Sequence, residues 1–177
     1  MSSSETEDIE KILFYRVTDN YINFLHSHDD KVQYNDRRGN LRPYIGILLN
    51  IGDHQYFAPL SSYENKPRYK KKNKSFDKVY DDPAKDPVAI IKYNCMIPFL
   101  ESEFTYVDFK DFEHDPKYRS LLEAEYQYIK THRSTILSNA RKLYDEVSKG
   151  RGYFYDSSVK FMNLERIYRD FNLISST

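Results

Sequence analysis

The chain has 177 residues, enough to bury a sizeable core in one domain and too few for two domains of ordinary size. Twenty-seven Lys and Arg balance 27 Asp and Glu, so no global excess of positive charge draws it to nucleic acid. A single cysteine, Cys95, excludes an intrachain disulfide and a cysteine-based zinc site. No apolar run approaches the roughly 20 residues of a bilayer span, and the start Met-Ser-Ser-Ser-Glu-Thr-Glu lacks the parts of a signal peptide. These features predict a soluble, cytoplasmic protein with no membrane partner.

Residues 1–10 read as a flexible acidic tail, ahead of a single domain over 11–177. Ile12-Leu13-Phe14-Tyr15-Arg16-Val17 has the composition of a strand, and Thr18 or Asp19 then caps a short helix with Tyr21, Ile22, Phe24 and Leu25 on its apolar face. Residues 29–43 form a polar loop. Residues 44–51 and 54–60 predict a hairpin about Gly52-Asp53, a pair suited to a tight primed turn. The stretch 61–87 reads as one long loop, basic and then acidic at Asp81, Asp82 and Asp86. Val88 to Asn94 and Phe104 to Val107 predict strands, with Pro98 marking a bend or an edge between them. Cys95 falls in the apolar run that follows the first of these and reads as a buried, inert thiol.

Asp115-Pro116 is a strong helix start, and apolar residues recur at helical spacing from Tyr118 to Val147. That span predicts a break near Thr131–Ser134, with Ser134 capping a second helix, and an end at Gly150 and Gly152. Met162 to Phe171 predicts one last short helix. Strands first and helices after them give an α+β fold, an antiparallel sheet with helices packed beside it.

Three constellations carry candidate chemistry. His26-Ser27-His28-Asp29-Asp30-Lys31 nearly spells a metallohydrolase motif, but a lysine stands where the last histidine belongs, and side chains at i and i+2 of a helix diverge. A histidine acid–base pair is the second; His54 stands six residues, about 20 Å of extended chain, before the end of its strand and reads as a hairpin-end residue. The third is the strand end Ser61-Ser62 with Arg42 and the cations from Lys66 onward. Metal-free RNA cleavage needs the substrate's own 2′-OH to attack its phosphate, and hydroxyl donors with fixed cations orient that attack and stabilise its charge. Arg suits a phosphate because its planar fork gives two parallel hydrogen bonds. Read from spacing alone, two serines at a strand end are more often structural polar residues, and a lysine run is more often a solvated loop.

The order of segments adds to that reading. Phe14-Tyr15, Tyr21-Ile22-x-Phe24-Leu25, Asp29-Asp30-Lys31-Val32, Arg42-Pro43-Tyr44-Ile45-Gly46-Ile47-Leu48-Leu49 and Tyr56-Phe57-Ala58-Pro59-Leu60-Ser61-Ser62 together resemble the ToxN/AbiQ family. The likeness continues through Met96-Ile97-Pro98-Phe99, Tyr118 to Leu122, Tyr128-Ile129-Lys130 and Tyr168 to Phe171. The resemblance implies a twisted antiparallel sheet like that of the Kid/MazF toxins, with added helices. It implies a type III toxin, an endoribonuclease that needs no cofactor or metal and leaves 2′,3′-cyclic phosphate and 5′-OH ends. The implied partner is a pseudoknot RNA antitoxin cut from a repeat transcript and held in a closed protein–RNA complex, with cellular or phage RNA as substrate.

Carried over by position, Ser61 and Ser62 match the family's Thr/Ser-Ser pair, and Arg42 is the basic residue before the Ile-Gly-Ile strand. Glu64 stands where the family commonly has a lysine, which leaves Lys66 or a later lysine to supply the cation. A family tyrosine in the preceding loop falls on Arg38, with Tyr34 the nearest aromatic. RNA would be gripped by stacking on Tyr34, Tyr63 and Tyr69, and by phosphate contacts from Lys31, Arg37, Arg38 and Arg68 and from Lys70, Lys71, Lys72 and Lys74. The reading from another class is an RNA-binding regulator without catalysis, in which Ser61 and Ser62 only contact phosphate.

Overall fold

A hairpin lies at the centre of the sheet. Strand β2 (Tyr44–Ile51) and strand β3 (His54–Ser62) pair antiparallel about Gly52, whose φ of 60° is the left-handed conformation that favours glycine. A computed structural model describes residues 12–35 and 43–175 of this chain. The acidic tail and Arg37, Arg38 and Arg42 lie outside the described residues. β3 is longer than expected and takes in both serines, because β5 (Ala89–Lys92) pairs with its last three residues.

The remaining strands are β1 (Leu13–Val17), β4 (Phe76–Val79), β6 (Ile97–Pro98) and β7 (Phe104–Tyr106). They form a seven-stranded antiparallel sheet in the order β4-β5-β3-β2-β1-β7, with β6 paired to the early part of β3. The expected single loop over 61–87 is corrected: it holds a short helix α2 (Pro67–Lys70) and the whole of β4. Phe76-Asp77-Lys78-Val79 sets two charged residues between two apolar ones, with no alternation to mark a strand inside a charged tract. Its ladder to β5 makes it a strand, and that partner lies ten residues downstream (Val79↔Ala89).

Helix α1 (Asp19–His28) begins at Thr18, whose hydroxyl accepts from the backbone N–H of Tyr21 at 3.4 Å. Asp115 caps α3 (Pro116–Thr131) by accepting from the N–H of Tyr118 at 3.1 Å. The break before α4 (Arg133–Val147) falls at His132, inside the expected span, but His132 and not Ser134 takes the cap position, its carbonyl accepting the first bond of α4 from the N–H of Ile136. The expected last helix divides into α5 (Phe161–Ile167) and α6 (Asp170–Ser175). Between them the Tyr168 hydroxyl meets His54 Nδ1 at 3.1 Å and Arg169 pairs with Asp53 at 2.7 Å, so the junction grips the β2–β3 turn.

Tyrosine fills much of the core. Tyr21, Tyr44, Tyr56 and Tyr93 are fully buried. The Tyr21 hydroxyl donates to the Pro98 carbonyl (2.8 Å), Tyr56 to Glu165 (2.5 Å) and Tyr93 to Asp77 (2.7 Å). The thiol of Cys95 is buried as well. Gly46 makes a close approach necessary: a Cβ there would lie 2.0 Å from the ring of Phe57, which stacks on Phe99.

Candidate active site and nucleic-acid interface

Pairing across β3, β5 and β4 sets the geometry. Ser61 pairs with Ile90 and Ile90 with Lys78; Ser62 pairs with Ala89 and Ala89 with Val79. Paired residues share a face and successive ones alternate, so the two serines open to opposite faces of the sheet. Ser61's face also carries Tyr63, Phe76 and Lys92. There Tyr69, Phe76 and Ile90 form a small cluster of their own, apart from the main core. Ser62's face carries Leu60, Ile91 and Val79, part of the main core beneath α3 and α4. Asp77, on that face of β4, accepts from Asn139 of α4 at 2.7 Å, which confirms the side. Ser62 is exposed at the rim of this face, and Ser61 is half-buried on the other.

Cations surround the strand end. Lys66 opens α2 and forms an ion pair with Glu64, which holds that carboxyl below its ordinary range; Arg68 and Lys92 lower it further. The Lys92 ammonium donates to Gln33 at 3.2 Å, bringing the loop after α1 against this face. Lys78 lies over the Tyr63 ring at 5.8 Å, and the Arg68 guanidinium lies over Tyr69 at 4.8 Å. Lys78 closes the run of cations that begins at Lys66, whereas Lys92 is absent from the candidates drawn from the sequence. Lys92 lies in an apolar run, and only its alternation with Ile90, the partner of Ser61, signals the face it shares.

The remaining candidates take distinct places. Lys70, Lys71 and Lys72 are exposed and enter no ion pair among the described residues. Lys74 pairs with Glu146 at 2.8 Å and Lys31 with Asp30 at 3.2 Å. Tyr34, 48% exposed, stacks on His26 with ring centres 3.9 Å apart. Tyr69 corrects an expectation: its ring is buried edge-on against Phe76, with centres 5.2 Å apart. It anchors the cation-bearing helix and offers no free face for a base.

The histidine-rich turn is occupied with its own backbone. His26 Nδ1 lies 2.7 Å from the Val32 carbonyl oxygen and His28 Nδ1 lies 2.9 Å from that of Phe24. Asp29 accepts from the N–H of Lys31 (2.9 Å) and, through its other oxygen, from the N–H of Lys160 (2.6 Å). Among the described residues no group of three or more His, Cys, Asp and Glu is placed to hold a metal ion.

Beside the strand end, two cavities share Tyr80 and Tyr128. One, of about 250 Å³, is bordered by Lys70, Lys72 and Lys78. The other, of about 590 Å³, continues between the β4–β5 loop and the last turns of α3 to His132.

Comparison with known proteins places this arrangement. Residues 13–169 match the family model for the toxin ToxN of type III toxin–antitoxin systems. The endoribonuclease ToxN of Pectobacterium atrosepticum is 30% identical over 162 residues, 89% of this chain and 92% of that protein. A type III toxin structure, described with selective toxin inhibition by a non-coding RNA pseudoknot, superposes with a TM-score of 0.80 at 25% identity, covering 92% of this chain and 98% of the other. AbiQ, a lactococcal anti-phage endoribonuclease of the same type of system, superposes with a TM-score of 0.78 at 26% identity, covering 94% and 99%. Matched to the family model over residues 13–169, and sharing its fold and nearly its whole length with these proteins, the chain belongs to the ToxN family of type III toxins.

Proposed function

We propose that this protein is an endoribonuclease toxin of a type III toxin–antitoxin system, active in the cytoplasm and inhibited by a pseudoknot RNA that it cuts from a repeat transcript. The observation that carries the reading is the Ser61-Ser62 strand end, ringed by Lys66, Arg68, Lys78 and Lys92, in a member of this family. Phage defence is the biological setting that the anti-phage relative supports.

In the reaction, the substrate's 2′-oxygen attacks the adjacent phosphorus and loses its proton. The bond from phosphorus to the 5′-oxygen breaks, and that oxygen takes up a proton, leaving a 2′,3′-cyclic phosphate and a 5′-OH. Ser62, exposed at the rim, donates to a phosphate oxygen and holds the attack in line. Ser61 supports it from the other face. Arg42 and the lysines from Lys66 onward stabilise the charge that builds on the phosphate. The lysine loop binds the strand through its phosphates, and exposed tyrosines such as Tyr34 stack on bases.

Incubating the purified protein with a long RNA in excess EDTA, beside Ser62→Ala, tests this reading. The expected result is cyclic-phosphate ends from the wild type and a loss of about 100-fold or more in the variant, the size typical for removing one donor to a developing negative charge. RNA bound and left intact would make this a binding protein. Cleavage abolished by EDTA would make it a metal enzyme.

A further inference from the structure

The aromatic groove beside the strand end has no part in the cleavage chemistry. Its wall is a ring platform: His132 stacks on Tyr128 with centres 3.9 Å apart and planes inclined by 22°, and its Nδ1 is held 2.8 Å from the Tyr128 carbonyl oxygen. Tyr80 meets the platform directly, its ring centre 6.0 Å from that of Tyr128 and its plane inclined by 51°, so the three rings form one wall. The space of about 590 Å³ lies within the roughly 300–1,000 Å³ range of small-ligand sites. Asp81 and Gln127 line it, giving the apolar walls an acceptor carboxylate and an amide.

Charge and position select the occupant. The neighbouring cavity shares Tyr80 and Tyr128 and adds Lys70, Lys72 and Lys78, so one continuous surface joins a cationic end to an aromatic end. Phosphate suits the first end and a flat π system the second, a pairing that a nucleotide strand supplies at each residue. Register fixes how far this lies from the serines. Ser62, Ala89 and Val79 stand in one row over three neighbouring strands, so Val79, just before Tyr80, is two strand spacings, about 10 Å, from Ser62. A nucleotide next to the cut spans that separation.

We propose that this groove is a subsite that holds one unpaired nucleobase next to the scissile phosphate, against the wall formed by Tyr80, Tyr128 and His132. The inference rests on the endoribonuclease reading. The Asp81 carboxylate accepts from an exocyclic amino group, so adenine, guanine or cytosine is favoured there over uracil. Tyr128 and His132 act in positioning and base choice, and touch no reacting atom.

Short single-stranded oligoribonucleotides, blocked against cleavage by 2′-O-methyl groups and carrying 2-aminopurine at successive positions, test the subsite when titrated onto the full chain. The expected result is a fluorescence change confined to one position, weaker competition by oligomers with uridine there, and affinity about tenfold lower in Tyr128→Ala and His132→Ala. Tyr128→Phe keeps the ring and keeps the signal. Because His132 is exposed, its variant reports on binding even if Tyr128→Ala folds poorly. A signal equal at all positions, or unchanged in His132→Ala, overturns the subsite. Cleavage of unblocked RNA is scored separately: a wild type that never cuts but keeps the position-specific signal overturns the endoribonuclease reading and leaves the base subsite standing.

Discussion

At the scale of single residues, Ser61 and Ser62 divide one strand end between two environments. Ser62 points to the helix-covered face and Ser61 to the face with Lys78 and Lys92. The proposed mechanism uses this division, with the phosphate at the strand edge between the two hydroxyls. Gly46 acts by having no side chain. Gly46→Ala drives a Cβ into the Phe57 ring, itself held by Phe99 and Tyr15, so the ring has little room to yield. We predict a loss of about 1–3 kcal/mol or more in urea unfolding, with any remaining folded protein still able to bind RNA. A variant as stable as the wild type would mean that the hairpin relaxes around the added methyl.

At the scale of elements, α3 carries both a wall of the groove and an unusual acid. Glu125 is 5% exposed, and burial pushes its carboxyl from an ordinary 4.5 up to about 8. The unfolded chain releases this proton near 4.5 and the folded chain only near 8, so the native state holds more protons in between. Stability therefore falls as pH rises through that window and levels off above it. Glu125→Gln removes this slope and gains about 2–5 kcal/mol relative to wild type on going from pH 5 to pH 8, as read by urea unfolding at both values. Equal slopes for the two proteins would show that another group titrates there. The cap of the same helix gives a simpler expectation: Asp115→Ala loses about 1 kcal/mol, measurable as a lowered Tm.

Elements also show where a sequence is readable. The hairpin, the Thr18 and Asp115 caps and the helix break near residue 132 are local signals, and each lies in the structure within a few residues of its expected place. β4 and the split between α5 and α6 are not local. β4 depends on β5, and the split depends on a tyrosine and an arginine reaching the β2–β3 turn more than a hundred positions earlier in the chain. The site divides the same way. The place of Ser61 and Ser62 at a strand end is local and legible, but their role in the proposed site comes from the family resemblance, and Lys92 needs strand pairing to join them. Tyr69 misled because a tyrosine among lysines looks the same in sequence whether its ring is free or buried.

At the scale of the whole molecule, zero net charge coexists with strong local fields. Lys70, Lys71 and Lys72 project from one exposed loop, while acids elsewhere pair with Lys31, Lys74, Arg119, Arg141 and Arg169. Three adjacent lysines that enter no ion pair among the described residues make this segment a strongly positive part of the surface. Replacing Lys70, Lys71 and Lys72 together by Ala lowers the slope of log affinity against log salt by about 2 for a single-stranded RNA, as read by anisotropy titrations at several salt concentrations. An unchanged slope would remove this loop from the interface. Among the described residues no helix is long and apolar enough to cross a membrane.

The clasp between the chain's two ends bears on how the protein is made. Phe171 packs on Tyr21 and Phe24 with ring centres 5.4 Å from each, and Arg169 holds Asp53 at the hairpin turn. On a ribosome the first helix and the central hairpin emerge long before their last partners, and contacts so far apart in sequence form late. A chain halted short of Phe171 leaves these surfaces open. The last strand of the sheet ends at Tyr106, so the serines can reach their register first, and what waits for Arg169 and Phe171 is the cover over α1 and the hairpin turn.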